Sequence, residues 1–236
     1  MIDTRFRTQE AEIMDDFLME GAELEKALGK IATINQVLGG NSITITCVKR
    51  LLKNIDPKKT IRIADMGCGN GDMLRKLALL GRGKKLNFQL IGIDANAHTI
   101  RHATALSQGF DEISYKCADF LEEHDEQNNY DIILTTLTLH HFSNEEIVKL
   151  LKQFKQQAKI GIVINDLHRS KVAYYLFKAI SKVFRLDNMT KSDGLTSILR
   201  GFKKAELKAI SERLNLKRST IAWKWAYRYQ WVIKTL

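Results

Sequence analysis

The chain predicts an α/β fold built on a mostly parallel sheet covered on both faces. Two observations carry this. After Pro57, short apolar runs alternate with amphipathic helical stretches, and "IRIADMGCGNGDML" (61–74) sets a strand, a glycine loop and a helix in direct succession. A third observation bounds the answer: 236 residues suit one α/β domain, and no apolar run approaches the roughly 20 residues needed to span a bilayer.

The first 56 residues read as a helical cap. Leu24, Leu28, Ile31, Ile34 and Leu38 recur at three- and four-residue steps, which predicts a helix over 22–38 ended by Gly39 and Gly40. A second helix is expected over 46–54, stopping before Pro57. The core, 57–166, then alternates: strand 60–65, helix 72–80, strand 87–94, helix 98–107, strands 112–117 and 130–136, helix 144–158 capped by Ser143 or Asn144, and strand 159–166. Right-handed crossovers would join these strands in parallel.

About fifty residues separate that strand from the next strand-like run, against the usual median of about four to six. Residues 167–215 therefore read as a helical insertion over the sheet edge, with helical patterns at 171–184 and 204–214. The end, 216–236, is rich in β-formers and is expected to form an antiparallel hairpin, although no Gly, Asn or Pro marks its turn. All four segments are assigned to a single domain.

Charge is unevenly placed. The net charge is +10, yet Glu10 to Glu25 holds seven acids and no base, while Thr196 onward holds ten Lys or Arg against Glu206 and Glu212. Such a tail is either a solvated surface or a contact for RNA, for an anionic membrane surface or for an acidic partner. Cys47, Cys68 and Cys117 are odd in number and widely spaced, which points away from a disulfide framework and a zinc site and towards a reducing compartment; a cytoplasmic protein is expected.

The chemistry concentrates at strand ends. Asp65 closes the first strand, and Gly67, Gly69 and Gly71, with Cys68 among them, lead into a helix whose N-terminal N–H groups face any ligand. This spacing departs from the dinucleotide fingerprint, whose third glycine comes one position later. Asp65 beside a pyrophosphate would repel it, whereas a cofactor carrying an ammonium and a sulfonium would welcome it. S-adenosylmethionine is thus preferred over NAD. Asp94, followed by Ala95, ends the second strand where an acid can accept from both ribose hydroxyls, and Asp119, with Phe120 beside it, follows the third strand where it can take an adenine amino group. Each acid alone could be a helix cap.

The run Asp65-x-Gly67-x-Gly69-x-Gly71 with Asp94, Asp119 and "DIILTTLTLHHF" resembles the class I S-adenosylmethionine-dependent methyltransferases over about residues 45–165. The resemblance implies a Rossmann-like, seven-stranded sheet with its last strand antiparallel, the methionine moiety at Asp65 and the glycine loop with the Thr135 carbonyl, the ribose at Asp94 and the adenine at Asp119. The Asn/Asp-Pro-Pro-Tyr/Phe run of amino-group methyltransferases is replaced by "TTLT". "LTLHHF" is similar to small-molecule members, including those of quinone biosynthesis, and "INQVLGG", "NDLHRS" and "WKWAYRYQW" are more loosely similar to methyltransferases associated with type III polyketide synthases. The acceptor implied is a lipophilic phenol, polyketide or quinone, methylated on oxygen or carbon without a metal. An RNA methyltransferase using the basic tail and a nucleotide-binding regulatory protein without turnover are the alternatives.

A phenol or acidic carbon must lose its proton, and a positioned His can take it. His140, His141 and His168 are the candidates, with His140 favoured and Asp166 available to orient a His; Asp166 and His168 could equally begin a helix. Arg169 could clamp a carboxylate or phenolate, or simply face water. Trp223, Trp225, Tyr227, Tyr229 and Trp231 alternate, which on one continuous strand gives an aromatic face for core packing or, less often, base stacking.

Overall fold

A computed structural model describes residues 2–122 and 129–235. Seven strands form one sheet: β1 (Ile61–Met66), β2 (Phe88–Asp94), β3 (Ile113–Cys117), β4 (Tyr130–Thr136), β5 (Ala158–Leu167), β6 (Ser219–Lys224) and β7 (Arg228–Lys234). Their order is β3-β2-β1-β4-β5-β7-β6. β7 runs antiparallel to both neighbours and the rest of the ladder is parallel. The central strands are apolar on both faces because helices cover both.

The described residues also form eight α-helices: α1 (Ala22–Val37), α2 (Gly40–Leu51), α3 (Asp72–Lys84), α4 (Ala97–Leu106), α5 (Asn144–Gln157), α6 (Lys171–Val183), α7 (Asn188–Arg200) and α8 (Lys204–Arg213). Cys47 and Val48 of α2 and Leu74 and Leu77 of α3 pack one face of the sheet, against Ile63 and Leu90. Leu150, Leu151 and Phe154 of α5 and Leu207 and Ile210 of α8 pack the other, around Trp231. Ser143 caps α5 in a reciprocal box with Glu146.

Three expectations need correction. Gly39 follows the end of α1 as expected, but no loop comes after it: at φ +75° it is the left-handed cap from which α2 starts, six residues before the predicted 46. Helix α7 lies where no helical period was read, since Gly194 interrupts it and its N-terminus rests on Asp187, whose side chain accepts from Thr190 N. The aromatic alternation is split by the turn between β6 and β7, with Tyr227 at φ +53°. Tyr229 and Trp231 are core, whereas Trp223 and Trp225 are exposed.

Candidate functional site

The strand order reverses between β1 and β4, and ligands of open α/β sheets bind beyond the carboxyl ends at that switch. A cavity of about 710 Å³ opens there, within the range of about 300–1,000 Å³ typical of small-molecule sites. Its polar floor is the β1–α3 loop and the ends of β2 and β4, and its apolar walls come from α1, α6 and α7.

The loop is shaped for close approach. Gly67 and Gly71 have φ of +74° and +75°, and a Cβ would stand 2.5 Å from the Thr138 side chain at the first and on the Tyr115 hydroxyl at the second. At Gly69 a Cβ would meet only Leu28, at 3.7 Å, so the loop there borders open space. Asp65 is 2 % exposed, and its Oδ1 has no hydrogen-bond partner. Burial, reinforced by Asp94 and Asp72, pushes its carboxyl well above the usual range. An orphaned acid beside backbone with room for a ligand fits a cofactor that brings a cation.

Asp65, Gly67, Cys68, Gly69, Asp94, Ala95, Asp119 and Phe120 all border the cavity. Asp94 accepts from Gly69 N at 3.0 Å through one oxygen and from Asn96 N at 3.1 Å through the other, which fixes the carboxylate and leaves each oxygen a lone pair. Burial raises this carboxyl too. Asp119 holds Leu121 N at 2.8 Å. Gly71 shapes the loop from behind, and Thr135 is fully buried within β4; Thr136, Leu137 and Thr138, just past it, border the cavity instead.

The proton-handling candidates separate. His140 is 2 % exposed, sits in a 3-10 turn over Leu139–His141 and borders the cavity. Its Nδ1 lies 2.7 Å from Asp166 Oδ1, while its backbone N donates to Asp166 Oδ2 at 3.2 Å. A carboxylate accepts, so Nδ1 carries the proton and Nε2 keeps its lone pair. Burial would raise Asp166, but the charge and hydrogen bond of His140 hold it below the ordinary value. His168 does not border the cavity. The chain leaves the sheet after Leu167, bridging to Phe202, and this turns the His168 ring between Tyr227 and Tyr229, where its Nδ1 accepts from Trp223 Nε1 at 3.2 Å. It has no reach to an acceptor there. Arg169 neither clamps a ligand nor faces water: fully buried, it donates to the carbonyls of Thr4, Arg5 and Gly201 and to both oxygens of Glu206.

Sequence reasoning missed Glu12. Its Oε2 accepts from Ser197 Oγ at 2.7 Å, and its Oε1, without a partner, lies 3.7 Å from the equally unpartnered His140 Nε2. Burial pushes its carboxyl up. Around it, Asp15 pairs with His141 at 2.6 Å and with Arg200 at 2.5 Å. Glu12, His140 and His141 bring ligating atoms within 4.8 Å of one another, but Arg200, 3.6 Å from Glu12, already supplies the positive charge there. Arg7 ties the same segment down through the carbonyls of His140, Phe142 and Arg200. Only the acidic character of residues 10–25 hinted at this role.

Comparison with known proteins agrees with the cofactor chemistry. Residues 63–161 match the family described as "Methyltransferase domain". The chain is 23 % identical to a carboxy-S-adenosyl-L-methionine synthase of Helicobacter pylori, over 75 % of this chain and 76 % of that protein. It is 29 % identical to a ubiquinone biosynthesis O-methyltransferase of Rickettsia prowazekii, over 54 % of this chain and 48 % of that one. Among solved structures, the plantazolicin methyltransferase BpumL in complex with SAH superposes with a TM-score of 0.65 at 17 % identity, covering 90 % of this chain and 95 % of the other. No helix among the described residues is long and apolar enough to cross a membrane.

Proposed function

As an S-adenosylmethionine-dependent methyltransferase of Rossmann-like fold, the chain needs an acceptor suited to its cavity, and we propose a small lipophilic phenol, polyketide or quinone-like molecule, methylated on oxygen or carbon. The observation that carries this reading is a single one: the cavity with the polar floor also has a wall of Leu28, Ile31, Leu176, Phe177 and Ile180, and it is bordered by His140, whose Nε2 is unpartnered. A nucleic acid would instead want an open, basic groove with exposed rings. The kinship with a ubiquinone biosynthesis O-methyltransferase supports the same acceptor class.

S-adenosylmethionine supplies a methyl group already activated by its sulfonium, so the protein's work is alignment, exclusion of water and removal of the acceptor's proton. In this reading Asp65 meets the cofactor's ammonium, Asp94 the ribose hydroxyls, and Asp119 with Phe120 the adenine. Gly67, Cys68 and Gly69 let the loop close against it. His140 Nε2 accepts the acceptor's proton; Asp166 holds the tautomer that makes this possible and stabilises the imidazolium that results. Such a positioned base contributes roughly 10²- to 10⁴-fold. Residues 167–215 act as a lid, with α6 and α7 shielding the reacting atoms from water.

The test is to incubate the protein with S-adenosylmethionine and a panel of alkylresorcinols, hydroxynaphthoquinones and short RNAs, following S-adenosylhomocysteine release and product mass. Methylation of a phenol or quinone, lost in His140→Gln, is the expected result. Turnover of RNA with none of the phenols or quinones modified would refute the acceptor class.

A further inference from the structure

One wall of the cavity carries a charge that no contact neutralises. Arg228 opens β7 opposite Leu167 on β5, is 4 % exposed and borders the cavity, yet its Nε and Nη1 have no hydrogen-bond partner. Taking a guanidinium out of water is strongly unfavourable unless carbonyls or a carboxylate replace the lost hydration.

Arg169, and the half-buried Arg7 and Arg200, show what satisfaction looks like in this protein. Arg169 is fully buried and meets three carbonyls and a carboxylate. Arg7 meets three carbonyls, and Arg200 meets two carbonyls and Asp15. Arg228 has no counterpart. The carboxylate whose charge reaches it, Asp166, makes its hydrogen bonds elsewhere: one oxygen accepts from His140 Nδ1 and Leu167 N, the other from His140 N. Consistent with this, burial lowers the Arg228 guanidinium to about 10 despite the opposing influence of Asp166. A ligand that reaches this guanidinium from the cavity would supply the acceptor that the protein does not.

We propose that Arg228 is the anion-binding pole of the acceptor site, and that the acceptor is an aromatic or polyketide-type acid whose carboxylate pairs with this guanidinium. Arg228 stands across from Leu167 and not from Asp166, so its side chain leaves the sheet on the face opposite that of Asp166, while Arg228 and His140 both border the cavity. A neutral analogue would leave the donors unmet and be rejected, as sites built to pair a polar group reject partners lacking it. This rests on the cavity being the acceptor site, and the test therefore reads binding rather than turnover.

Protein saturated with S-adenosylhomocysteine is titrated calorimetrically with salicylate and with its neutral amide, salicylamide. Salicylate should bind at least about tenfold more tightly. Arg228→Met should abolish that preference and Arg228→Lys retain part of it, with affinity for S-adenosylhomocysteine unchanged in both. Since the guanidinium lacks partners, ligand-free Arg228→Met should melt no lower than the wild type. The proposal is overturned by equal binding of the two probes to the wild type, by a preference that survives Arg228→Met, or by a melting temperature several degrees down, which would make the arginine structural. It is also overturned if Arg228→Met loses S-adenosylhomocysteine affinity about tenfold, since the guanidinium would then hold the cofactor's carboxylate. Salicylate preference in a protein that methylates RNA but no phenol would sink the proposed acceptor class and leave the anion site standing.

Discussion

Replacing Asp65 by Asn should move stability and cofactor affinity in opposite directions. In the ligand-free protein the Asp65 carboxyl is 2 % exposed, one oxygen lacks any partner, and Asp94 and Asp72 add like charge. Its folded value is therefore raised above the unfolded one. A raised value contributes stability that is fully present below the unfolded pKa and is lost as pH rises through the folded one. As pH rises through the folded value the wild type loses that contribution, whereas Asn, which cannot ionise, loses nothing. Ligand-free Asp65→Asn should thus melt at or above the wild type at pH 7, with a flatter dependence on pH above the ordinary carboxylate range. Affinity goes the other way. A charge-assisted hydrogen bond is worth about 1.5–3 kcal/mol, so S-adenosylhomocysteine should bind at least about tenfold more weakly. At a ligand concentration 100 times the wild-type Kd, ligand stabilisation would fall from about 2.7 to about 1.4 kcal/mol. For a chain of this length that shrinks the ligand-induced rise in Tm by about 3–5 °C. Differential scanning fluorimetry with and without S-adenosylhomocysteine, beside calorimetry, reads both quantities. A variant that melts several degrees lower without ligand, or binds as tightly as the wild type, would refute the reasoning.

Asp94→Ala should weaken S-adenosylhomocysteine at least about tenfold, because it removes ribose acceptors and frees Gly69 N; unchanged affinity by calorimetry would take Asp94 out of the ribose role. Asp166→Asn leaves His140 in place but no longer fixes its Nδ1–H, and should lower kcat by about 10²-fold or more with cofactor affinity unaltered. Equal turnover would mean that His140 does not act as the base. Arg169→Met strands three carbonyls and Glu206 and should destabilise by about 3–5 kcal/mol in denaturant titrations, where a loss under 1 kcal/mol would contradict its reading as a buried staple.

What the sequence revealed was local. The strand, glycine loop and helix of 61–74 occupy fourteen consecutive positions, so the cofactor floor could be read from spacing alone, and each core strand fell within a residue or two of its predicted place. What it concealed depends on distance. Glu12 owes its position to Ser197, 185 residues away, and Arg169 its burial to Thr4 and Glu206. No local pattern encodes either. Helix α7 carries Gly194 at its middle for a reason set by a distant neighbour: a Cβ there would stand 2.3 Å from the Phe177 ring, so the glycine is what lets α7 approach α6. His168 was misassigned for a different reason. The strand ends at Leu167, one residue before it, and the direction its ring then takes is set by Tyr227 and Tyr229, some sixty residues on.

The segment around Glu12 also sets an order of assembly. Ile13 N and Met14 N donate to the Asp193 carboxylate, 180 and 179 residues on, and Asp15 closes on Arg200. Contacts of such separation form late in folding because loop closure must precede them. During synthesis at about 5–20 residues per second, residues 12–15 would wait roughly 10–35 s for their partners to be made. One wall of the cavity is thus made of residues synthesised long before their partners, and it can close only once the chain as far as Arg200 has followed.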